Sequence, residues 1–281
     1  MTAQGPRRLQ IAKGLAELRT RSGLTLEDVA KAAGYGKSTV QRYEDWTAKA
    51  KPKARTVRLI AEAAGGTPEE VAALTKLAES LTDGWWAVGG AVPEWLHPLV
   101  SLEQEAEEET AFAPSVIPGL LQTREYAMAV HLGQEVREPL DGVTRQVDSR
   151  IKRQEVLNRP APLHLWAVLD EGVLKRQVGN TAVMAAQLDH LIEQTQRRHI
   201  NIQVLPLATG AHAAAGVGHF VTITSGGITS AYAELLGGGL YMDTADQVRR
   251  YTTAMDYLRS QAADTDASLK ILSAYRKEYD A

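Results

Sequence analysis

Between Arg7 and Arg21 apolar residues recur at Leu9, Ile11, Leu15 and Leu18 with charges between them, the spacing of a helix with one buried stripe. Gly23 follows as a C-terminal stop. Thr25 stands where an N-cap belongs, with Asp28 three residues on, and Leu26, Val29, Ala30 and Ala33 supply a short second helix. Gly34-Tyr35-Gly36 interrupts it. A third helix, from Lys37 to about Asp45, turns Val40 and Tyr43 inward. A fourth runs from about Thr56 to Ala64. Thr67-Pro68-Glu69-Glu70 opens a fifth, with a cap, a proline at the first helical position and acids in the first turn.

Five short helices predict a compact all-α part over residues 1–80. Residues 81–96 carry Trp85, Trp86 and Trp95 among Gly84, Gly89, Gly90 and Pro93, a composition for packing rather than for a flexible linker. Residues 97–281 read as a second domain. Its helical stretches are expected at 97–110, 123–132, 143–158, 181–198, 244–262 and 264–278, and its strands at 163–169, 200–205, 219–224, 231–235 and 240–242. The strands and helices do not alternate strictly, so the expectation is an α+β chain with a small mixed sheet flanked by helices.

Composition narrows the chemistry. The 281 residues include no Cys, which excludes disulfides, Cys-ligated zinc, iron–sulfur clusters and thiol catalysis. No apolar run reaches membrane-span length, and MTAQGPRRLQ lacks a signal-peptide apolar region, so a cytoplasmic protein without membrane contact is expected. The net charge of −3 is unevenly spread. Residues 1–58 hold 13 Lys and Arg against 5 Asp and Glu, a net of +8, which leaves −11 for the rest. A basic head on an acidic body is the pattern of a nucleic-acid binder with a second, non-binding part.

Short helix, glycine turn and second helix form the grammar of a helix-turn-helix. Gly34 suits the positive-φ position that ends the first helix, and Val29, Ala30 and Val40 are small enough for a close crossing. Lys37, Ser38, Thr39, Gln41 and Arg42 then lie on the outer face, all of types that hydrogen-bond bases or phosphates. The alternative for such a face is simple solvation.

The segment LAELRTRSGLTLEDVAKAAGYGKSTVQRYE, within residues 8–75, resembles the XRE-type (lambda-repressor-like) helix-turn-helix family. The resemblance implies double-stranded DNA as partner, an inverted-repeat operator and a homodimer. It places Lys37, Ser38, Thr39 and Arg42 at DNA-touching positions, and Arg19 and Glu44 where the family pairs its first and third helices. Two positions depart from the pattern. Leu26 stands where many members have a phosphate-binding Gln, and the following loop, DWTAKAKPKA, is longer and basic; Lys49, Lys51 and Lys53 are candidates to replace the lost phosphate contact. Further along, PGLLQT (118–123) and the strings around RIKRQEVL and LDEGVLKRQVG resemble the C-terminal domain of actinobacterial XRE-type regulators described as antitoxin-like. That implies a small partner protein or a small-molecule effector, without saying which.

Within the second part, Gln122, Arg150, Arg153, Gln154, Glu171 and Arg176 are the candidates for effector or partner contact. Arg150 and Gln154 share a helix face, which is either solvated or part of a site for an anion. Glu171 is expected to be exposed or paired with Arg153 or Arg176. Leu120 and Leu121 read as core and Thr123 as an N-cap. Asp170, Glu171, His212, His219 and Glu234 have no metal-ligand or acid–base spacing, and no nucleophile motif is present. Neither an enzyme nor a resident cofactor is expected.

Overall fold

In a computed structural model, residues 5–48, 51–79, 92–134, 140–236 and 238–280 are described. The chain divides into two units, residues 1–105 and 106–281.

The first unit is helical: α1 (Gly5–Arg21), α2 (Leu26–Ala33), α3 (Lys37–Glu44), α4 (Ala54–Ala63), α5 (Pro68–Glu79) and α6 (His97–Glu105). Ile11, Leu15 and Leu18 of α1 close over Val29 and Ala30 of α2, Val40 and Tyr43 of α3, and Val57, Ile60 and Ala61 of α4. Thr25 caps α2 in a reciprocal box: its hydroxyl accepts from Asp28 N and the Asp28 carboxylate accepts from Thr25 N at 2.9 Å. The Thr25 hydroxyl also donates to Asp28 Oδ2 at 2.6 Å and, with the bond from Thr25 N, holds the Asp28 carboxyl below its usual range. Gly34 ends the helix at φ +73°, donating to the carbonyls of Ala30 and Lys31, in a conformation that any Cβ would strain. The α6 helix packs on α1, with Arg7 and Glu105 3.6 Å apart. The first compact unit thus takes in α6 and extends through Glu105. Of the tryptophan-rich stretch 81–96, residues 81–91, including Trp85 and Trp86, lie outside the described residues.

The second unit is built on a six-stranded mixed sheet, and the chain as a whole is α+β. Its elements are β1 (Glu108–Ala113), α7 (Arg124–Gln134), α8 (Leu140–Arg153), β2 (His164–Asp170), α9 (Gly172–Lys175), α10 (Thr181–Gln194), β3 (Ile200–Leu205), β4 (Phe220–Ser225), β5 (Ile228–Leu235), β6 (Gly238–Met242), α11 (Ala245–Gln261) and α12 (Thr265–Glu278). The strand order is β3-β2-β1-β4-β5-β6. β1, β2 and β3 run parallel, and β1-β4-β5-β6 is antiparallel. One face carries Phe112, Val168, Phe220, Ala231 and Ala233, packed on Met255 and Leu258 of α11.

One expected helix is present but shorter, and a strand follows it. The helix expected over 97–110 stops at Glu105, and the central strand β1 begins at Glu108. Its acidic start, Glu107-Glu108-Glu109, does not announce a strand, yet β1 pairs on both sides and buries Ala111, Phe112 and Ala113 completely. Central pairing overrides weak strand propensity. The expected helix 143–158 is α8 followed by a 3-10 turn over Gln154–Leu157.

Candidate nucleic-acid interface

The two short helices α2 and α3 are joined by three residues, and Tyr35 N donates to Ala30 O at 2.8 Å to tighten the turn. Val40 is fully buried and Tyr43 nearly so, which fixes the roll of α3. Lys37, Ser38, Gln41 and Arg42 are consequently exposed on the opposite side, while Thr39 is half-buried. Lys37 Nζ lies 3.9 Å from the Glu27 carboxylate, a solvent-exposed pair that holds the lysine only weakly.

The far end of α3 is anchored. Arg19 Nε and Nη2 donate to the two oxygens of Glu44 at 2.7 and 2.8 Å, and Nη1 reaches Leu24 O at 3.3 Å. The hydrogen bonds to Glu44 raise the Arg19 pKa further. Tyr43 accepts from Lys53 N at 3.2 Å and Tyr35 pairs with Thr56 at 3.2 Å, so both tyrosines tie the turn and α3 to the start of α4. The loop between α3 and α4 runs from a buried Trp46 to exposed Lys51 and Lys53, and Arg55 is exposed on the first turn of α4. Lys49 lies outside the described residues. Leu26 is half-buried against the core, an apolar anchor rather than a phosphate ligand.

The buried face of α3 is thus locked, and its outer face offers Lys, Ser, Gln and Arg, residue types that hydrogen-bond bases and phosphates. The chain is a DNA-binding regulator of the helix-turn-helix class. Residues 10–74 match a family model described as a helix-turn-helix domain. Residues 96–274, more than half of the chain, match a model described as a domain of unknown function, DUF5753, and the chain belongs to that family. No curated protein and no solved structure matches it.

In the second unit the structure joins three of the six candidate residues and separates others. Buried Gln122 donates from Nε2 to Ile117 O at 2.7 Å and accepts from Arg150 Nη1 at 2.9 Å. Gln154 Nε2 donates to the carbonyls of Gly119 and Gln122 at 2.9 and 2.8 Å. Arg150 and Gln154 thus share one face, as their spacing implies, and that face clamps the PGLLQT turn. Leu120 and Leu121 are buried, and Thr123 Oγ1 accepts from Tyr126 N at 3.3 Å as the cap of α7. Arg153 lies close enough to Glu234 on β5, as Arg150 does, to favour that carboxylate's charged form.

Glu171 pairs with neither Arg153 nor Arg176. Its oxygens accept from Tyr275 Oη at 2.6 Å and Leu207 N at 2.8 Å, so it joins the end of β2 to α12. Arg176 is exposed at the end of α9. Glu171 follows the last residue of β2, and that position brings it under α12, which no local spacing could reveal. Gln187 and His131 are residues that the sequence reading did not single out. Gln187, fully buried on α10, accepts from Thr123 N at 2.7 Å and donates to Leu121 O at 2.8 Å. A polar residue in an otherwise apolar helix stripe was the available signal.

Among the described residues no group of three or more His, Asp or Glu is placed to hold a metal ion. No helix among them is long and apolar enough to cross a membrane.

Proposed function

We propose that the chain is a sequence-specific transcriptional regulator of XRE type that binds an inverted-repeat operator as a homodimer, its second unit responding to a ligand or partner. The observation that carries this reading is the outer face of α3, where Lys37, Ser38, Gln41 and Arg42 are exposed beside Lys51, Lys53 and Arg55. Gln41 is suited to adenine and Arg42 to guanine in the major groove. One such helix reads few base pairs, so two protomers on half-sites about 34–36 Å apart, or a multiple of that, supply the specificity. The basic loop lysines take the phosphate contact that Leu26 cannot make. Binding to chromosomal DNA places the protein in the cytoplasm.

Selection of bound duplexes from a random pool by the full chain tests this. The expected result is an enriched inverted repeat, and Arg42→Ala relaxes one position in each half-site at a cost of about 1–3 kcal/mol. Recovery of no preferred sequence overturns the reading, and an unchanged profile in Arg42→Ala removes that residue from base readout.

A second reading is antitoxin-like, with the second unit engaging a small partner protein and DNA binding serving autoregulation. It is favoured by the exposed Leu235 and Leu236 at the β5–β6 connection and Leu240 on the edge strand β6. Co-purification of a stoichiometric small protein that is lost in Leu240→Lys tests it.

A further inference from the structure

His131 on α7, Arg150 and Arg153 on α8 and His219 just before β4 all lie within electrostatic reach of Glu234 on β5, and Arg150 also holds the PGLLQT turn. Arg150 makes one side-chain hydrogen bond, to the neutral Gln122 Oε1 at 2.9 Å, and among the described residues no carboxylate lies within salt-bridge distance of it. Glu234 Oε2 is instead 3.6 Å from His219 Nδ1. Among the described residues, His131 Nε2 and both ring nitrogens of His219 are buried with no hydrogen-bond partner. A methyl group on Gly119 would stand 3.6 Å from Arg150 Nη1, so bare backbone borders the guanidinium there. The Glu234 side chain is 48 % exposed, which opens the cluster to solvent.

We infer that this cluster is a binding site for the oxyanion of a small effector, a carboxylate or a phosphate, held by Arg150 with Arg153 and the two histidines around it. The inference rests on the reading of the second unit as the responsive part of the regulator.

Charge supplies the reason. Among the described residues no carboxylate lies within salt-bridge distance of Arg150, and Glu234 sits against His219 instead. Guanidinium presents five donors in a fork that fits a carboxylate or phosphate edge, and Gln122 uses one of those on Arg150. Burial, reinforced by Arg153 and opposed by Glu234, pulls the Arg150 pKa down to about 10. Burial likewise pulls His131 down to about 4, with Arg150 adding to the effect and Glu234 opposing it. A bound oxyanion relieves each of these penalties. It also reaches structure with leverage: Arg150 and Gln154 hold the carbonyls and side chains of the PGLLQT turn, which starts α7.

The full-length protein, labelled with nitrogen-15, is titrated with inorganic phosphate and with acetate at constant ionic strength, following the Gly119 and Gln122 amides and the Arg150 Nε–H signal. Saturable shifts at these signals are expected. They should weaken roughly tenfold or more in Arg150→Gln, which removes one side of a charged hydrogen-bond pair, and persist in Arg176→Gln. Should Arg150→Gln lose its fold, Arg150→Lys keeps the charge without the fork and should bind measurably but more weakly. Saturation by phosphate alone marks a phosphorylated effector, and by acetate alone a carboxylate. No saturable shift with either anion, or an equal shift in Arg150→Gln and Arg150→Lys, overturns the site. Operator affinity measured in parallel separates the two claims. Anion binding with unchanged operator affinity keeps the site and removes its sensing role, whereas intact sequence-specific DNA binding without anion binding removes the site alone.

Discussion

Arg19 and Glu44 meet through two parallel hydrogen bonds of 2.7 and 2.8 Å, joining the last turn of α1 to the final residue of α3. Their side chains are only 21 % and 10 % exposed, so the pair lies between a surface ion pair and a buried one. Arg19→Ala strands a half-buried carboxylate, and a loss of about 1–3 kcal/mol is expected in chemical denaturation of the first unit. Arg19→Lys recovers only part of it, because an ammonium lacks the fork. DNA affinity should fall in step, since the pair sets the attitude of the reading helix.

Lys51 and Lys53 are exposed beside that helix. Replacing both with Ala should weaken binding to every duplex alike and lower the slope of log affinity against log salt by about 2, one released counterion for each lost phosphate contact. A change in base preference with an unchanged slope would contradict a phosphate role.

Gln187 serves two backbone groups at once. Gln187→Leu fits the apolar stripe but leaves Thr123 N and Leu121 O without partners inside the protein. The expected cost is about 2–5 kcal/mol in the unfolding transition of the second unit. Protonated Gln187→Glu still accepts from Thr123 N and donates to Leu121 O, so it should lose less when denaturation is measured below the pH at which its carboxyl ionises.

His131 is held neutral in the fold, its pKa pushed down to about 4 by burial, whereas an unfolded histidine titrates near 6.5. Between those values the unfolded chain binds the extra proton. Stability is therefore full above about pH 6.5, falls as the pH drops toward 4, and levels off below, by on the order of 1 kcal/mol once solvent screening is allowed for. His131→Gln should flatten that stretch of a denaturation-against-pH curve.

The helix-turn-helix was legible because its determinants are local. Thr25 and Asp28 form the cap, Gly34 takes the left-handed turn, and Val40 and Tyr43 set the inner face, all within a few residues of one another. β1 was not legible because its stability comes from β2 and β4, distant in sequence, while Glu107-Glu108-Glu109 reads locally as helix or loop. For the candidate residues of the second unit the same division holds. The shared face of Arg150 and Gln154 follows from helical spacing, but what it grips, the carbonyls of Gly119 and Gln122, is tertiary. Glu171 found Tyr275 on the last helix, a partner invisible to any local pattern.

The placement of β1 sets an order of events on the ribosome. One of its flanks is satisfied early, when β2 emerges and lies parallel to it, but the other must wait until Val221 arrives to meet Ala111. Until then a nascent chain already carrying its finished DNA-reading head trails an open, hydrogen-bond-hungry border. Truncated products ending before Phe220 should accordingly clump, which light scattering would register.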